Sequence, residues 1–210
     1  MYIPSSFAET DVGRLHDFIE SHSFATLITT QDAGSVASHL PLLLDRDASS
    51  RGKLIGHMAR ANSQWKDADG ERAFVIFQGP HAYISPSWYE ATNVVPTWNY
   101  VAVHVYGTLR IVSDHEALLQ TLRDTVEMYE GGTAQSWSID QPDETFVDGL
   151  LDSIIGFEID ITCIEGKWKL SQNHTPERRL PVIVALQERD SAQSHSIAEL
   201  MSKALQEKAE

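Results

Sequence analysis

The segment from Tyr100 to Val112 constrains the fold most, because its side chains alternate between apolar and polar along its length. Side chains of a β-strand point in turn to its two faces, so the segment predicts a long strand with one core-facing side and one polar side. One face carries Val101, Val103, Val105, Leu109 and Ile111, and the other carries Ala102, His104, Tyr106, Thr108 and Arg110. Trp98 precedes this strand and a second polar–aromatic segment, 166–173, follows much later. Together they predict a barrel that holds a flat, anionic ligand.

Composition predicts a soluble globular protein with one large domain, the alternative being two small ones. The chain has 210 residues, of which 42% are hydrophobic and 22% are charged, as is usual for that class. The lone cysteine, Cys163, excludes an internal disulfide and favours a reducing, cytoplasmic compartment. Because Cys163 alternates with apolar neighbours, we expect a packed thiol. We expect neither a signal peptide nor a membrane span, since no apolar run approaches the ~18 residues that a span needs.

The formal net charge of −14 argues against direct DNA binding. Proteins that grip DNA normally carry a basic stripe, because the phosphate backbone supplies much of the affinity. Here the densest basic cluster is the pair Arg178-Arg179, with Glu177 beside it.

Periodicity and turn residues predict several strands with helices between them. The predicted strands are 24–30, 35–44, 53–58, 73–77, 81–85, 100–112 and 157–163, the last resuming around 168–170 after a bulge or tight turn at Glu165-Gly166. The predicted helices are one capped by Thr10, a short one at 62–67, one capped by Asp114 and ended by Gly131-Gly132, then 142–151, 176–188 with an interruption near Pro181, and an amphipathic helix from Ser191. Asp32-Ala33-Gly34 predicts a hairpin turn, and residues 86–96 a loop. The chain is therefore mainly β, an antiparallel barrel with inserted helices.

The junction from His57 to Trp65 is the first candidate site. A strand ends there, Arg60 follows, and Asn62 or Ser63 begins a helix. Free N–H groups at a helix start beside an arginine favour phosphate binding. The alternative is that Asn62 only caps the helix while Arg60 makes a surface ion pair.

Three further groups could contact a ligand, and each has an ordinary structural alternative. Pro41, in the segment 38–42, cannot donate to a sheet and marks an edge or bulged strand, whose free backbone groups suit a heterocycle. Four aromatic residues suit either stacking on a flat ligand or a dimer interface, which we favour for most of them: Trp88, Tyr89, Trp98 and Tyr100. Four polar residues suit either an anion or flavin-edge contact or an ordinary surface: Lys167, Lys169, Gln172 and Asn173.

Several common catalytic signatures are missing from the sequence. It contains no glycine-rich dinucleotide loop, no phosphate-binding Walker loop and no nucleophile elbow. No histidine has a spacing to cysteine or carboxylate that predicts a metal site. We therefore assign no catalytic residue and no metal ligand.

Six segments, in this order along the chain, resemble the PaiB family, whose members are described as FMN-binding negative transcriptional regulators linked in sporulating bacteria to protease synthesis and sporulation. The segments are Met1–Pro4 with Phe7, Ser38–Pro41, Gly56–Asn62, Tyr83–Tyr89, Val95–Tyr100 and Lys167–Asn173. The resemblance covers about Met1 to Leu186. It implies a split β-barrel similar to the pyridoxamine phosphate oxidase and flavin reductase class, and a homodimer with FMN at the subunit interface. The barrel domain would span 1–188, and 189–210 would form an amphipathic helix packed on it.

The resemblance also implies roles for particular residues. Ser38, His39, Leu40 and Pro41 would lie along the flavin ring, and His57 and Met58 would face its pyrimidine side. Arg60, Ala61 and Asn62 would meet the ribityl phosphate. Trp98, Lys169 and Gln172 would close the site, either from the same subunit or from the other one.

Three functions remain open at the level of sequence. The first is a flavin-binding regulator that responds to cofactor or redox state and acts through partners. The second is an FMN-dependent oxidoreductase that uses a nicotinamide donor. The third is a haem-binding split barrel, for which His57, His104 or His174 would be the axial ligand.

Overall fold

The computed structural model describes residues 1–32, 34–89, 92–132 and 136–207. They divide into two compact units. The first contains Met1–Leu15, Gln78–Val103 and Glu165–Glu210, and the second contains His16–Phe77 and His104–Ile164.

The described residues form eight β-strands and five α-helices, with single 3-10 turns at Ser5–Phe7, Ser63–Trp65 and Pro86–Tyr89. The strands are β1 (Ala8–Glu9), β2 (Phe24–Gln31), β3 (Gly34–Pro41), β4 (Leu43–Asp45), β5 (Lys53–Ala59), β6 (Arg72–Ile84), β7 (Thr97–Val112) and β8 (Ile154–Lys169). The helices are α1 (Val12–Ser21), α2 (His115–Glu130), α3 (Glu144–Leu151), α4 (Pro176–Gln187) and α5 (Ala192–Gln206). The prediction of a mainly β chain with inserted helices is confirmed. None of the described helices has the length and apolar character needed to cross a membrane.

The strands of the second unit belong to an antiparallel sheet with the neighbour order β3-β2-β6-β7-β8-β5-β4, and β6, β7 and β8 each continue into residues of the first unit. The predicted hairpin of β2 and β3 forms, with Leu27 opposite Ser38, although Ala33 of its turn lies outside the described residues. β5 pairs with β8, placing His57 opposite Gly156. Eight side chains at the centre of the core are fully buried: Leu27, Leu54, Val75, Phe77, Val105, Leu109, Phe157 and Ile159.

The alternation in β7 is confirmed by burial from Val103 to Arg110. Val101, Val103, Val105 and Leu109 are fully buried, whereas the side chains at 104, 106, 108 and 110 are half-buried or exposed. Ala102, which was expected on the polar face, is buried, and Ile111, which was expected on the apolar face, is only half-buried. Gly107 lies on the buried face, where a Cβ would be 2.5 Å from the carbonyl oxygen of Asp160. This close approach of β7 and β8 therefore requires glycine.

The first unit packs its two C-terminal helices around buried side chains. β1 pairs with β8, with Ala8 opposite Lys167. Ser191 caps α5 by accepting a hydrogen bond from the Ser194 N–H, and three of the residues that α5 buries are Ile197, Ala198 and Met201. α4 continues through Pro181, so the predicted interruption is wrong. A proline costs one helical hydrogen bond, and α4 tolerates that loss.

Several element boundaries differ from those predicted. Asp11, not Thr10, caps α1, because Asp11 Oδ1 accepts from the Arg14 N–H at 2.8 Å. The predicted strand 35–44 is broken at Leu42, whose N–H donates to the Ser23 carbonyl oxygen. The predicted helix 62–67 is a single 3-10 turn. The predicted strands 73–77 and 81–85 are one strand, β6, in which the buried positions change phase between Gly79 and Ala82, as at a bulge.

The structure of residues 163–166 also differs from the one predicted. Cys163 is exposed, because the buried face of β8 ends at Ile161 before resuming at Gly166; the expectation of a packed thiol is wrong. β8 also runs through Glu165-Gly166 without a turn. A Cβ at Gly166 would lie 2.3 Å from Leu15 Cδ2, so packing, not a turn, explains this glycine. In the predicted loop 86–96, residues 86–89 form a 3-10 turn and Glu90 and Ala91 lie outside the described residues.

Candidate functional site

The turn after β5 in the second unit is organised by Asn62. Its Oδ1 accepts from the Gln64 N–H at 3.0 Å, which caps the 3-10 turn Ser63–Trp65. Its Nδ2 donates to Ser38 Oγ on β3 at 2.8 Å. Asn62 therefore does more than cap, because it also joins the turn to the edge strand of the sheet.

Gln64, which the sequence analysis missed, completes this connection. Its side chain is fully buried, and its Oε1 accepts from Ser38 Oγ at 2.5 Å. Its Nε2 lies within hydrogen-bonding distance of the Leu27 carbonyl oxygen, Thr29 Oγ1 and the Val36 carbonyl oxygen. The only sequence signal was a polar residue two positions after a capping asparagine. We call Ser38, Asn62 and Gln64 the turn network, and it fixes the backbone between β5 and the turn against β2 and β3.

Arg60 lies on the exposed side of the same turn. Its Nε donates to the Asp152 carbonyl oxygen at 2.6 Å and its backbone N–H donates to the Ser153 carbonyl oxygen at 2.9 Å. Trp65 Nε1 donates to the Arg60 carbonyl oxygen at 3.0 Å. Of the described residues, none accepts from the terminal Nη1 and Nη2 amines. The expected alternative, a surface ion pair, is not what Arg60 makes, and its guanidinium presents free donors beside the small, exposed Ala61.

The β3 segment lies at the edge of the sheet, as Pro41 predicted. Ser38 Oγ is committed to the turn network, while His39 is exposed with its Nδ1 3.1 Å from Thr26 Oγ1. Leu40 and Pro41 are half-buried. An edge strand carries unpaired backbone donors and acceptors on its outer side, which suits the edge of a heterocycle.

The two β5 residues face different environments. Met58 is 2% exposed, so its side chain belongs to the core and only its backbone could meet a ligand. His57 is half-buried, and burial lowers the pKa of its imidazole. The ring is therefore neutral at pH 7 and can both donate and accept one hydrogen bond.

Three residues that were expected to close the flavin site lie in the first unit, but the structure does not bring all three together: Trp98, Lys169 and Gln172. Lys169 Nζ donates to Thr97 Oγ1 and to the Trp98 carbonyl oxygen, so the structure brings Trp98 and Lys169 together. Gln172 instead accepts from the Leu170 N–H and donates to the Trp168 carbonyl oxygen. Its amide closes its own turn.

The four candidate aromatic residues differ in their exposure to solvent. Trp98 is 53% exposed, with its ring 6.0 Å from that of Tyr83 and 6.1 Å from that of His81. Trp88 and Tyr100 are half-buried, and the Lys167 ammonium lies 5.1 Å from the centre of the Tyr100 ring. Tyr89 is buried and its hydroxyl lies 3.0 Å from Ser171 Oγ, so Tyr89 does not suit an interface.

The three histidines considered as haem ligands have distinct surroundings. His57 lies on β5, and His104 on β7 packs edge-on to Phe74 with ring centres 4.9 Å apart. His174 lies 4.9 Å from the Tyr89 ring. Across the part of the chain that the structure describes, no group of three or more His, Cys, Asp or Glu side chains could hold a metal ion.

Comparison with sequence families gives one match that covers most of the chain. The sequence-family model described as "Putative FMN-binding domain" matches residues 1–163. The chain is also 37% identical over 202 residues to the protease synthase and sporulation protein PAI 2 of Bacillus subtilis, covering 96% of each protein.

Solved structures resemble the chain in fold. The flavocytochrome Anf3 from Azotobacter vinelandii has a TM-score of 0.60 at 13% identity, over 77% of this chain and 69% of that one. The FAD and haem binding protein from Mycobacterium smegmatis has a TM-score of 0.56 at 15% identity, over 77% of this chain and 73% of that one. At these identities the likeness concerns the fold alone, and the prediction of a split-barrel fold is confirmed.

Proposed function

The chain belongs to the FMN-binding domain family that includes PAI 2, with FMN as its cofactor, and we propose that the turn after β5 holds the FMN phosphate. In this proposal Arg60, Ala61 and Asn62 meet the phosphate, and the β3 segment 38–41 lies along the ring. His57 and the Met58 backbone face the pyrimidine side. The roles that the resemblance implies for Trp98, Lys169 and Gln172 stay predictions.

One observation carries the proposal, namely a guanidinium whose two terminal amines have no acceptor among the described residues, on a turn that is held by hydrogen bonds. Nη1 and Nη2 of Arg60 donate to none of the described residues, while its Nε and its backbone are held by Asp152, Ser153 and Trp65. Two parallel N–H donors match the geometry of phosphate oxygens. The turn network holds the adjacent backbone, so little conformational entropy is lost on binding. The turn is too short for a large helix dipole, so the positive charge at the site is that of Arg60.

We further propose a PaiB-like regulatory role in the cytoplasm, exerted through partners and not by direct contact with DNA. The net charge of −14 supports this, because the phosphate backbone repels so acidic a protein. The homodimer with flavin at its interface is part of the same proposal. Exposed aromatic side chains in the first unit, Tyr83 and Trp98, support an interface there.

The first experiment is an absorption spectrum of the purified protein with and without added FMN, followed by addition of NADH or NADPH. We expect a bound-flavin spectrum that the nicotinamide donor does not bleach. Bleaching would support an FMN-dependent oxidoreductase in place of the regulator. Absence of any bound flavin would overturn both proposals. A Soret band on addition of haem, lost on substitution of His57, His104 or His174, would favour the haem alternative.

Sedimentation of the same sample tests the dimer. We expect a species of twice 23.4 kDa, and Trp98→Ser should shift it toward the monomer. Trp137→Ser is the matched control, since Trp137 is also exposed but lies in the second unit. A monomer in the unsubstituted protein would contradict the dimer while leaving flavin binding intact.

A further inference from the structure

The first unit contains a cavity of about 280 Å³ that the proposed phosphate site does not use. Six of its lining residues carry the argument: Phe7, Tyr89, Asn99, Lys169, Ser171 and His174. All of them belong to the first unit, whereas the turn network and Arg60 belong to the second. The residues that line the cavity are therefore different from those of the proposed phosphate site.

Lys169 brings an uncompensated positive charge to this cavity. Its ammonium contacts two neutral oxygens, Thr97 Oγ1 and the Trp98 carbonyl. No described carboxylate pairs with it, and no described Asp or Glu lines the cavity, although the chain has 30 acidic and 16 basic residues. Burial, together with the nearby Lys167, lowers the pKa of Lys169. A half-buried cation without a counter-ion is costly, and an anionic ligand would offset that cost.

A buried polar cluster fixes the cavity wall next to Lys169. Ser171 Oγ lies 3.0 Å from both Tyr89 Oη and Asn99 Nδ2, and Asn99 is fully buried. Ser171 also has a φ of 62°, a left-handed conformation that is unfavourable for a non-glycine residue and is concentrated at functional sites. These contacts position the polar groups before any ligand arrives.

Other side chains that line the cavity are apolar or aromatic. They belong to Phe7, Val94, Val95, Tyr89 and His174, and the ring centres of Tyr89 and His174 are 4.9 Å apart. Burial and the charge of Arg178 lower the pKa of His174, so this ring adds no positive charge at pH 7. The wall therefore favours a flat, apolar body attached to a single anionic group.

We propose that this cavity binds a small aromatic carboxylate, with the carboxylate at Lys169 and the ring against Phe7, Tyr89 and His174. The volume is near the lower limit of ligand pockets, about 300 Å³, which suits one ring with a short substituent. The carboxylate gains a charge-assisted hydrogen bond from Lys169, which has a donor left after its two neutral contacts.

The test uses benzoate as the probe and benzamide, its neutral analogue of similar shape, as the control. Calorimetric titration of the full-length protein should show one benzoate bound per chain and binding of benzamide at least about tenfold weaker. This comparison needs no variant. Equal affinities for the two, or no binding of benzoate, would overturn the proposal.

Two lysine variants locate the site. Lys169→Met should weaken benzoate binding by at least about tenfold, whereas Lys203→Met, an exposed lysine on α5, should leave it unchanged. Unchanged binding by a folded Lys169→Met variant would also overturn the proposal.

A competition with FMN separates this inference from the flavin site. Titration of the full-length protein with benzoate at saturating FMN should give the same benzoate affinity as titration without FMN. Displacement of benzoate by FMN would mean that the cavity belongs to the flavin site, as the resemblance implies for Lys169, and would overturn the separate site. Failure of flavin binding itself would leave the benzoate result standing.

Discussion

Asn62 Nδ2 donates a 2.8 Å hydrogen bond to Ser38 Oγ, joining residues 24 positions apart in the chain. The Ser38 hydroxyl in turn donates a hydrogen bond to Oε1 of the fully buried Gln64. The turn that presents Arg60 is therefore positioned by a chain of side-chain hydrogen bonds and not by local backbone preference alone.

This contact predicts energetic coupling between Asn62 and Ser38. In a double-mutant cycle of Asn62→Ala and Ser38→Ala, the losses in free energy of unfolding should be non-additive by about 0.5–3 kcal/mol, as for residues in direct contact. Urea unfolding of the four proteins measures the coupling. The pair Asn62→Ala and Thr125→Ala, which share no hydrogen-bond partner, should be additive within about 0.5 kcal/mol. Equal coupling in both pairs would refute a specific network.

Gln64→Leu should lower the free energy of unfolding by about 1–3 kcal/mol, because it leaves the Ser38 hydroxyl and the β2 and β3 acceptors without their partner. The side chains are of similar size, so lost hydrogen bonds rather than a cavity should dominate. The measurement is the urea midpoint at constant slope. Gln120→Leu, on the exposed face of α2, is the matched control and should change stability by less than about 0.5 kcal/mol.

Arg60→Ala should weaken FMN binding by about 1.5–3 kcal/mol, the usual value of a hydrogen bond to a charged group. Flavin fluorescence titration gives the dissociation constant. Arg72→Ala, an exposed arginine of the same unit, should leave it unchanged. The phosphate assignment fails if the Arg60 variant binds FMN as tightly as the unsubstituted protein does.

Stability should fall as the pH drops below the ordinary histidine pKa of 6.5. Burial lowers the pKa of His57 in the folded state, so the unfolded chain binds the proton first and acid favours unfolding. The contribution of His57 to the free energy of unfolding is complete above pH 6.5. It is lost as the pH falls through the lower pKa that His57 has in the folded state. Unfolding midpoints between pH 8 and pH 5 measure the slope, which His57→Gln should reduce. An identical slope in the variant would show that other groups, such as His174, carry the effect.

The fold was predictable wherever local chemistry decides it. The alternation of β7, the hairpin of β2 and β3, the Asp114 cap of α2 and the apolar stripe of α5 all follow from the spacing of neighbouring residues, and all are confirmed. The break at Leu42 and the continuity of β6 were missed, because each depends on pairing with a distant segment. Gly79 and Pro80, taken by themselves, predict a break in the strand, yet β6 continues through both residues.

The candidate site, like the fold, was predictable only where the type and position of single residues decide the structure. The sequence by itself determined that Arg60 follows a strand, that Asn62 begins a turn and that Pro41 marks an edge, since these depend on residue type and position in an element. Only the tertiary structure decided that Gln64 is buried under the turn, that Gln172 closes its own backbone and that Lys169 faces a cavity. The physical reason is that the hydrogen-bond partners of a side chain, and therefore its burial, are set by distant groups. These groups lie 26 to 37 residues away for Gln64 and 71 to 72 residues away for Lys169.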